Sequence, residues 1–268
     1  MRSEKLKITI IQFPRKLHNP ALNIRLMGEY LQQVPEDSDA VLLPETWLGG
    51  EKIPIEQYEE TAFSLLAKLK APQCLLVAGA HYIGSTNHFF SRGFFCSKKD
   101  PRPVYYDKQF PSNAIGERKY IEKGVFLPLV EHNGVKMGAA VCVDLFYPEV
   151  VRSLAIRGAL IIFNPASIPE HRASMWQQLG VARASENTVY VVMANNTASR
   201  YPDGRAVEGG SFIAFPDGAT LLSCGKEPGV FNFTISIDLI DTVRQRWKYL
   251  EDIRENQEKI KQLYNITS

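Results

Sequence analysis

The chain has 268 residues and a formal net charge of +2 at neutral pH. Hydrophobic residues make up 45% of it and charged residues 22%, which predicts a folded protein with a large core rather than a disordered chain. The nearly balanced charge, without a run of five like charges, gives no basis for binding nucleic acid or a membrane surface.

Targeting and redox signals favour the cytoplasm. The N-terminal segment MRSEKLKITIIQF has too short an apolar run for a secretory signal, and no stretch of about 18 apolar residues predicts a transmembrane helix. The cysteines are widely spaced and form no Cys-x-x-Cys pair, which argues against a zinc ribbon or a disulfide framework. They are Cys74, Cys96, Cys142 and Cys224. We therefore expect a reducing, cytoplasmic location.

The first half of the chain alternates predicted strands and helices. Residues 6–13 alternate in polarity and are rich in β-branched residues, which predicts a strand. A helix is predicted at 19–34, with Asn19 as its cap and Pro20 at its first position. The elements that follow are a strand at 39–43, a helix at 55–70 and strands at 74–83, 88–96 and 104–107.

The second half continues the alternation and adds a hairpin. A strand at 134–142 precedes a helix at 148–158, which has Pro148 near its start and Gly158 at its end. The turn Pro-Asp-Gly at 216–218 joins two strands as a hairpin. The remaining predicted elements are strands at 159–164, 188–195, 209–215, 219–224 and 229–239, and helices at 171–187 and 243–264.

This order of elements predicts an α/β protein. It is built either as two sheets with helices outside them or as one large mixed sheet. No repeat, low-complexity segment or Pro/Gly/Ser-rich linker divides the chain, so residues 1–268 are interpreted as one domain. Within it, residues 243–268 form a charged, helical C-terminal tail.

Cys142 is the first candidate for chemistry. It is predicted at the last position of a strand, on the side away from its more apolar face, six residues before Pro148 opens a helix. A thiol near a helix N-terminus is expected to have a lowered pKa, as a nucleophile requires. The alternative is a small, buried structural cysteine.

Two more reactive side chains lie just beyond predicted strands. Glu45 follows Val-Leu-Leu-Pro in apolar company, where a carboxylate is expected to have a raised pKa that suits a general base. Lys108 follows Val-Tyr-Tyr-Asp. Each alone has an ordinary alternative as a solvated surface charge. With Cys142 they form a base, a cation and a nucleophile at strand ends, the parts needed to cleave an amide through a thioester.

Five segments of the sequence resemble the nitrilase, or carbon–nitrogen hydrolase, superfamily. In chain order they are LLPETWLGG, YYDKQFPSNAIGERKYIEKG, GAAVCVDLFYPEVVRSLAIRGALIIFNPAS, ARASENTVYVVMANN and GGSFIAFPDGATLL. Five ordered matches across nearly the whole chain are more specific than any single motif. The resemblance implies the family's four-layer α-β-β-α sandwich, and it implies no metal or organic cofactor.

The resemblance also implies roles for individual residues. Glu45, Lys108 and Cys142 match the family's catalytic triad of base, stabilising cation and nucleophile. Glu117, in the segment GERKY, resembles the family's additional glutamate, which helps to position substrate. The backbone N–H of Val143 is expected to help stabilise an oxyanion.

The residues that follow the nucleophile bear on the substrate. Many relatives that act on carboxylate-bearing substrates have an arginine there, whereas this chain has Leu145, Phe146 and Tyr147. Phe146 and Tyr147 therefore predict an apolar pocket and an aliphatic or aryl amide substrate. Three arginines could still reach the site from elsewhere in the chain, namely Arg172, Arg183 and Arg200. The pair Val143-Asp144, where nitrile-hydrolysing relatives commonly have Trp-Glu, favours an amidase.

Several alternatives stay open. Within the same family, the chain could be an N-carbamoyl amino acid hydrolase, an ω-amidase or an acyl-transferring enzyme. From another class, it could be a catalytically silent scaffold, although the intact triad argues against this. A metallophosphoesterase would need clustered His, Asp and Asn ligands, which the sequence lacks. The expected partners are a small amide and further copies of the chain in a homodimer or larger homo-oligomer.

Overall fold

The computed structural model describes residues 4–85 and 88–264 of the chain. Within these ranges the chain forms two large β-sheets, one two-stranded sheet and seven α-helices. Residues 265–268, the end of the predicted tail, lie outside the described residues.

The first large sheet contains both the first and the last of the described strands. Its strands are β1 (Lys5–Gln12), β2 (Ala40–Leu42), β3 (Lys52–Ile53), β4 (Leu75–Val77), β5 (His81–Ser85), β6 (His88–Ser97), β7 (Val104–Asp107) and β16 (Gly229–Ser236). Strand β1 pairs antiparallel with β16 along its whole length and parallel with β2. The spatial order is β16-β1-β2-β4-β6-β5-β3, with β7 paired to β6.

The second large sheet has six strands in the order β15-β14-β11-β10-β9-β8. Their bounds are β8 (Val130–His132), β9 (Val135–Ala139), β10 (Ile161–Pro165), β11 (Tyr190–Ala194), β14 (Phe212–Ala214) and β15 (Leu221–Ser223). Strands β9, β10 and β11 are parallel, so their carboxyl ends lie at one edge. The two-stranded sheet consists of β12 (Ser199–Arg200) and β13 (Ala206–Val207).

The helices and short turns complete the chain. The α-helices are α1 (Pro20–Leu31), α2 (Ile55–Leu66), α3 (Pro148–Ile156), α4 (Ala173–Asn187), α5 (Asp238–Arg246), α6 (Tyr249–Glu255) and α7 (Gln257–Tyr264). Three 3-10 turns lie at Glu117–Lys119, Cys142–Phe146 and Glu170–Arg172. In the part of the chain that the structure describes, no helix is long and apolar enough to cross a membrane.

Two apolar clusters show which layers touch. In β2, Leu42 belongs to a cluster that also holds residues of the second sheet, α3 and α4, because side chains alternate between the faces of a strand. Its neighbour Val41 belongs to a cluster with residues of α1 and α2. The rings of Phe95 and Phe163 meet between the sheets at a centroid distance of 6.4 Å. The fold is therefore α/β, and these contacts agree with the α-β-β-α order that the resemblance implies.

Several predicted elements are confirmed and others differ. The Asn19 side chain accepts a hydrogen bond from the Leu22 N–H at 3.2 Å and caps α1, as its sequence pattern predicts. The single strand expected at 74–83 is instead β4 and β5, because the chain bends between them. The tail is three helices rather than one, and the first of these begins at Asp238, inside the strand predicted to reach residue 239.

Candidate active site

Glu45 lies just beyond β2, on a segment that both large sheets hold in place. Its N–H donates to the Ala166 carbonyl at 3.2 Å, and its carbonyl accepts from the Asn196 side chain at 2.8 Å. Ala166 and Asn196 follow β10 and β11 of the second sheet, whereas Glu45 follows a strand of the first. The Glu45 side chain is only 2% exposed, so its carboxylate faces protein rather than water.

Gly79 shapes the same segment from the other side. Its φ of +70° falls in the left-handed region that favours glycine. A Cβ placed on it would lie 2.3 Å from the Pro44 carbonyl oxygen, which is well inside contact distance. Glycine at position 79 allows the chain to turn between β4 and β5 and allows the Pro44 carbonyl to approach closely. Because of this turn, residues 74–83 form two strands rather than one.

Lys108 lies directly after β7 and is fully buried between two carboxylates. Its Nζ is 2.9 Å from Glu45 Oε1 and 2.8 Å from Glu117 Oε2. Burial alone would lower the pKa of Lys108, but the two negative charges outweigh burial and raise the pKa well above its ordinary value. The ammonium therefore stays charged in the middle of the site.

Glu117 secures the loop that carries Lys108. Its Oε2 accepts from the Ser112 N–H at 2.6 Å, and its Oε1 accepts from the Tyr82 hydroxyl at 2.8 Å. The Glu117 side chain is completely buried. With Lys108 as a third donor, this carboxylate has four hydrogen-bond or ion-pair contacts within the protein, which compensates for its removal from water.

Cys142 begins the 3-10 turn rather than ending a strand, since β9 stops at Ala139. Its φ of +46° is unusual for a residue with a side chain, and the backbone here leaves the extended conformation of a strand. The thiol donates to the Ser167 carbonyl at 3.9 Å. It lies close enough to Glu45 and Lys108 for both charges to shift its pKa, so the structure brings the predicted nucleophile near the predicted base and cation.

The expected lowering of the Cys142 pKa is wrong. Burial raises the pKa of this thiol well above its ordinary value, and the nearby charge of Glu45 adds to the rise, while Lys108 opposes it. Helix α3 begins only at Pro148, beyond the intervening 3-10 turn. The resting thiol is therefore protonated, and a base must remove its proton before it can attack.

The expected rise in the Glu45 pKa agrees with the structure. Burial raises the pKa of Glu45 and is the largest influence, while the ammonium of Lys108 lowers it and the charge of Glu117 raises it. A carboxylate with a raised pKa holds a proton more firmly once it accepts one. Glu45 is therefore suited to exchange a proton with the nearby thiol.

Asp144 and Asn164 hold the 3-10 turn that begins at Cys142 in place. The Asp144 carboxylate accepts from the backbone N–H groups of Gln109 at 2.8 Å, Phe110 at 2.9 Å and Val141 at 3.3 Å. It therefore ties the segment after Lys108 to the residue before Cys142. The Asn164 amide donates to the Cys142 carbonyl at 3.2 Å, so Asn164 supports the turn.

Replacing Asp144 with asparagine is expected to lower the free energy of unfolding by about 1–3 kcal/mol, because an amide NH₂ takes the place of one oxygen and leaves buried N–H donors without an acceptor. We also expect kcat to fall, since the segments carrying Lys108 and Cys142 lose their shared tie. Urea denaturation and steady-state kinetics measure the two effects. Glu149→Gln, at an exposed position in the first turn of α3, is the control and should change stability by less than about 0.5 kcal/mol. An unchanged urea midpoint for Asp144→Asn would contradict the bracing role.

A cavity of about 240 Å³ opens onto Cys142 and Lys108. Its walls are formed by Ser112, Ala114, Ile115, Val143, Phe146, Ser167, Ile168, Pro169, Arg172, Trp176, Tyr201 and Arg205. The predicted positioning residues Val143 and Phe146 are thus at the cavity, and Val143 is the second residue of the 3-10 turn, where N–H groups lack a partner within the turn.

Tyr147 is not among the residues that line this cavity. Its ring stacks on Phe110 at a centroid distance of 4.2 Å, and its hydroxyl accepts from Arg118 at 3.4 Å. Two of the three arginines considered from the sequence also point elsewhere: Arg183 donates to the Leu145 carbonyl and Arg200 to the Gly204 carbonyl. The structure therefore places Arg172 at the cavity, but not Tyr147, Arg183 or Arg200.

Sequence reasoning missed Ser167, Tyr201 and Arg205 as cavity residues. Ser167 and Tyr201 are linked, because the Tyr201 hydroxyl donates to the Ser167 carbonyl. Tyr201 and Arg205 lie between the two strands of the small sheet, β12 and β13, and no motif in the sequence marks them. They reach the site only because this segment folds back towards the end of β10.

Comparisons with known proteins show which family the sequence and the fold resemble. The sequence profile of the carbon-nitrogen hydrolase family matches residues 7–245. The 2-oxoglutaramate amidase of Bacillus subtilis (strain 168) is 27% identical over 258 residues, which cover 94% of this chain and 99% of the relative. The crystal structure of XC1258 from Xanthomonas campestris, a CN-hydrolase superfamily protein, superposes with a TM-score of 0.81 at 23% identity and covers 93% of this chain and 97% of that chain.

A second solved structure matches the fold and has a modified cysteine. It is a variant of the amidase from Nesterenkonia sp. AN1, with the acetamide moiety of fluoroacetamide covalently added at its active-site cysteine. The TM-score is 0.79 at 21% identity, and the match covers 95% of each chain. At this identity the likeness concerns the fold. The family profile spans most of the sequence, and on that ground the chain belongs to the carbon–nitrogen hydrolase family.

Proposed function

We propose that this protein hydrolyses the carbon–nitrogen bond of a small amide, with Cys142 as nucleophile, Glu45 as general base and Lys108 as stabilising cation. One observation carries the proposal: a buried carboxylate is paired with a buried ammonium, and both charges act on a buried thiol. The relatives named as amidases support the reaction class. A silent scaffold would have no need to bury these charges in contact.

The first step forms a thioester. Glu45 takes the proton of the Cys142 thiol, and the sulfur attacks the amide carbonyl carbon. Once Glu45 is neutral, it attracts the Lys108 ammonium less strongly, so one of the ammonium's N–H donors becomes free for the developing oxyanion. The backbone N–H of Val143 supplies a second donor. Glu45 then returns the proton to the departing nitrogen, and ammonia or an amine leaves.

The second step releases the acyl group. Glu45, ionised again, takes a proton from a water molecule, and the resulting hydroxide attacks the thioester carbonyl. The sulfur leaves as the Cys142 thiolate and recovers its proton from Glu45. Glu117 keeps its two contacts with the Lys108 Nζ, so it holds the ammonium in position while the charge on Glu45 changes. Glu117 is thus a positioning residue for the cation.

Trapping of the acyl-enzyme tests the proposal. Turnover of a panel of short amides is quenched with acid, the protein is digested, and the peptide containing Cys142 is weighed by mass spectrometry. We expect ammonia release and an added acyl group on Cys142, with the peptide containing Cys224 unmodified as the internal control. The proposal is overturned if no amide yields ammonia, or if the adduct forms on another residue during turnover.

The pH profile should report the base. Because Glu45 must be ionised to accept a proton, we expect kcat/KM to fall as pH falls through its pKa, which burial raises above the ordinary 4.5. Glu45→Gln should lower kcat about 10²- to 10⁴-fold and remove this acid limb. Stopped ammonia assays from pH 4 to pH 9 measure both. Glu60→Gln, at an exposed position on α2, should retain the wild-type profile. Retention of the acid limb in Glu45→Gln would assign it to another group.

We also propose that the chain is a single domain, works in the cytoplasm and forms a homo-oligomer. Free thiols at all four cysteines fit a reducing compartment. The helices after β16 expose large apolar side chains, including Trp247 at 46% and Leu263 at 72%, which a second copy could cover. Light scattering after size-exclusion chromatography measures the assembly, and a mass of one chain would refute the oligomer.

A further inference from the structure

The cavity beside Cys142 has a wall of hydrogen-bond donors without acceptors. Ser167 and Trp176 are each 6% exposed, and neither the Ser167 hydroxyl nor the Trp176 Nε1–H has a hydrogen-bond partner among the described residues. Buried polar groups are normally paired, because leaving one unpaired costs stability. Both residues line the cavity, and because each polar atom is covered by neighbouring atoms, a small rotation of the side chain would bring it to a ligand.

The same wall carries a positive charge without a counter-ion. Arg172 lines the cavity, and in residues 4–85 and 88–264 no carboxylate lies within ion-pair distance of it. Among the described residues, the one hydrogen bond of its guanidinium goes to the Met175 sulfur, at 3.4 Å. Arg205, by contrast, forms a two-contact ion pair with Asp203 at 2.8 and 2.7 Å and packs on the Tyr201 ring. In the described part of the chain, Arg172 is therefore a cation of this wall without an ion-pair partner.

The position of Arg172 places its charge next to one of the unpaired donors. Arg172 is the residue that caps α4, and Trp176 is four residues further along, so both side chains project from the same side of the helix start. The residues lining the cavity include no Asp or Glu, while the cation of Lys108 is already matched by Glu45 and Glu117. An anionic group in the cavity would therefore meet the guanidinium of Arg172.

We propose that Arg172, with the Ser167 hydroxyl and the Trp176 N–H, binds a carboxylate at the far end of the substrate's acyl chain. This inference rests on the proposed amide hydrolysis and names its substrate class: short amides that carry a carboxylate, such as dicarboxylic monoamides. Guanidinium and carboxylate match in shape as well as in charge. A cavity of about 240 Å³ suits such a short chain.

This substrate class differs from the aliphatic or aryl amide expected from Leu145, Phe146 and Tyr147. That expectation looked for an arginine immediately after Cys142, and none is there. The structure supplies the cation from the start of α4 instead, some 30 residues further along the chain. Phe146 still contributes an apolar wall, because its ring packs edge-on against Trp176 at 5.0 Å. The acyl chain would lie along this wall.

Matched substrates that differ only in charge test the proposal. Glutaramate carries one amide and one carboxylate, and glutaramide has the same length with a neutral amide in place of the carboxylate. Hydrolysis of glutaramate consumes one water and releases ammonia and glutarate. We expect the wild-type enzyme to favour glutaramate over glutaramide in kcat/KM by at least about tenfold, which is the scale of one charged hydrogen bond.

The variant Arg172→Gln should lose this preference. We expect its kcat/KM for glutaramate to fall about 10- to 100-fold, mainly through a higher KM, and its kcat/KM for glutaramide to change less than about threefold. Arg172 is exposed, so the substitution should leave folding intact. Arg205→Gln, in the same wall but already paired, should lose less, and Arg25→Gln on α1 should match the wild type.

The outcomes separate this inference from the reaction itself. Hydrolysis of neutral amides without any preference for glutaramate, or equal losses for both substrates in Arg172→Gln, would overturn the carboxylate site and leave the amidase proposal standing. Failure of every amide to release ammonia would refute the reaction instead. In that case calorimetry with Cys142→Ala still decides the binding question: glutaramate should bind more tightly than glutaramide, and Arg172→Gln should abolish the difference. Equal affinities would overturn the site.

Discussion

Replacing Cys142 with alanine is expected to lower kcat for amide hydrolysis by at least about 10⁴-fold, because no thioester can form without the sulfur. The proposed oxyanion donors, Lys108 and the Val143 N–H, stay in place, so residual turnover would be that of water attack. The fold should survive, since alanine is smaller and the turn is held by Asp144 and Asn164. The melting temperature should shift by no more than a few degrees.

The comparison with another thiol makes this prediction specific. Cys224 is also buried and free, and burial raises its pKa, but it does not line the cavity. Cys224→Ala should therefore retain kcat within about twofold while making the same chemical change. A Cys142→Ala enzyme that kept more than a hundredth of the wild-type kcat would remove Cys142 from the mechanism. Steady-state ammonia release and thermal unfolding are sufficient to measure both variants.

Replacing Lys108 with methionine is expected to damage both activity and stability. The change keeps the length and apolar stem of the side chain but leaves the buried carboxylates of Glu45 and Glu117 without their shared cation. Breaking a buried ion pair by removing one partner costs about 3–5 kcal/mol. Loss of the charge that stabilises the oxyanion should lower kcat about 10³-fold.

The stability loss should depend on pH in a defined direction. Without the ammonium, the pKa of Glu45 rises further above its unfolded value, so the folded protein binds a proton that the unfolded chain releases. A group whose pKa is raised on folding stabilises the native state at low pH and loses that contribution as pH rises. Lys108→Met should therefore lose more stability relative to the wild type at pH 8 than at pH 5, as measured by urea unfolding.

A double variant provides the control for this effect. In Lys108→Met combined with Glu117→Gln, one of the two facing negative charges is removed. Much of the lost stability at pH 8 should return, while activity should not, since the cation is still missing. Lys136→Met, at an exposed position in β9, tests the same substitution away from the site and should leave both quantities unchanged. If Lys108→Met were as stable as the wild type at pH 8, the ion pairs of Lys108 with Glu45 and Glu117 would contribute nothing to stability.

The meeting of Glu45, Lys108 and Cys142 could be predicted from sequence because each follows a strand, and strand ends gather at common edges. Their chemical state could not be predicted in full. The pKa of Cys142 depends on burial and on the charges of Glu45 and Lys108, which come from distant parts of the chain. A local rule about helix N-termini therefore gave the wrong direction.

Some features of the fold could likewise be predicted from the sequence, and others could not. Amphipathic patterns and caps located α1 and most strands, since side-chain periodicity and Asn19 are local features. Choosing two sheets over one was not possible, because several central strands are apolar on both faces. The bend at Gly79 depends on a contact with Pro44, and the cation of Arg172 reaches the cavity only through the packing of α4. Such features exist only in three dimensions.

Both large sheets hold the Glu45 segment in place, and this affects how the chain folds into an active enzyme. Glu45 and Lys108 come from one sheet and Cys142 from the other, and the Asn196–Glu45 bond joins positions 151 residues apart. Closing so long a loop is entropically costly, so local helices and hairpins form earlier. A refolding chain would thus regain its circular dichroism before its turnover, and catalytic competence would mark the moment at which the two halves dock.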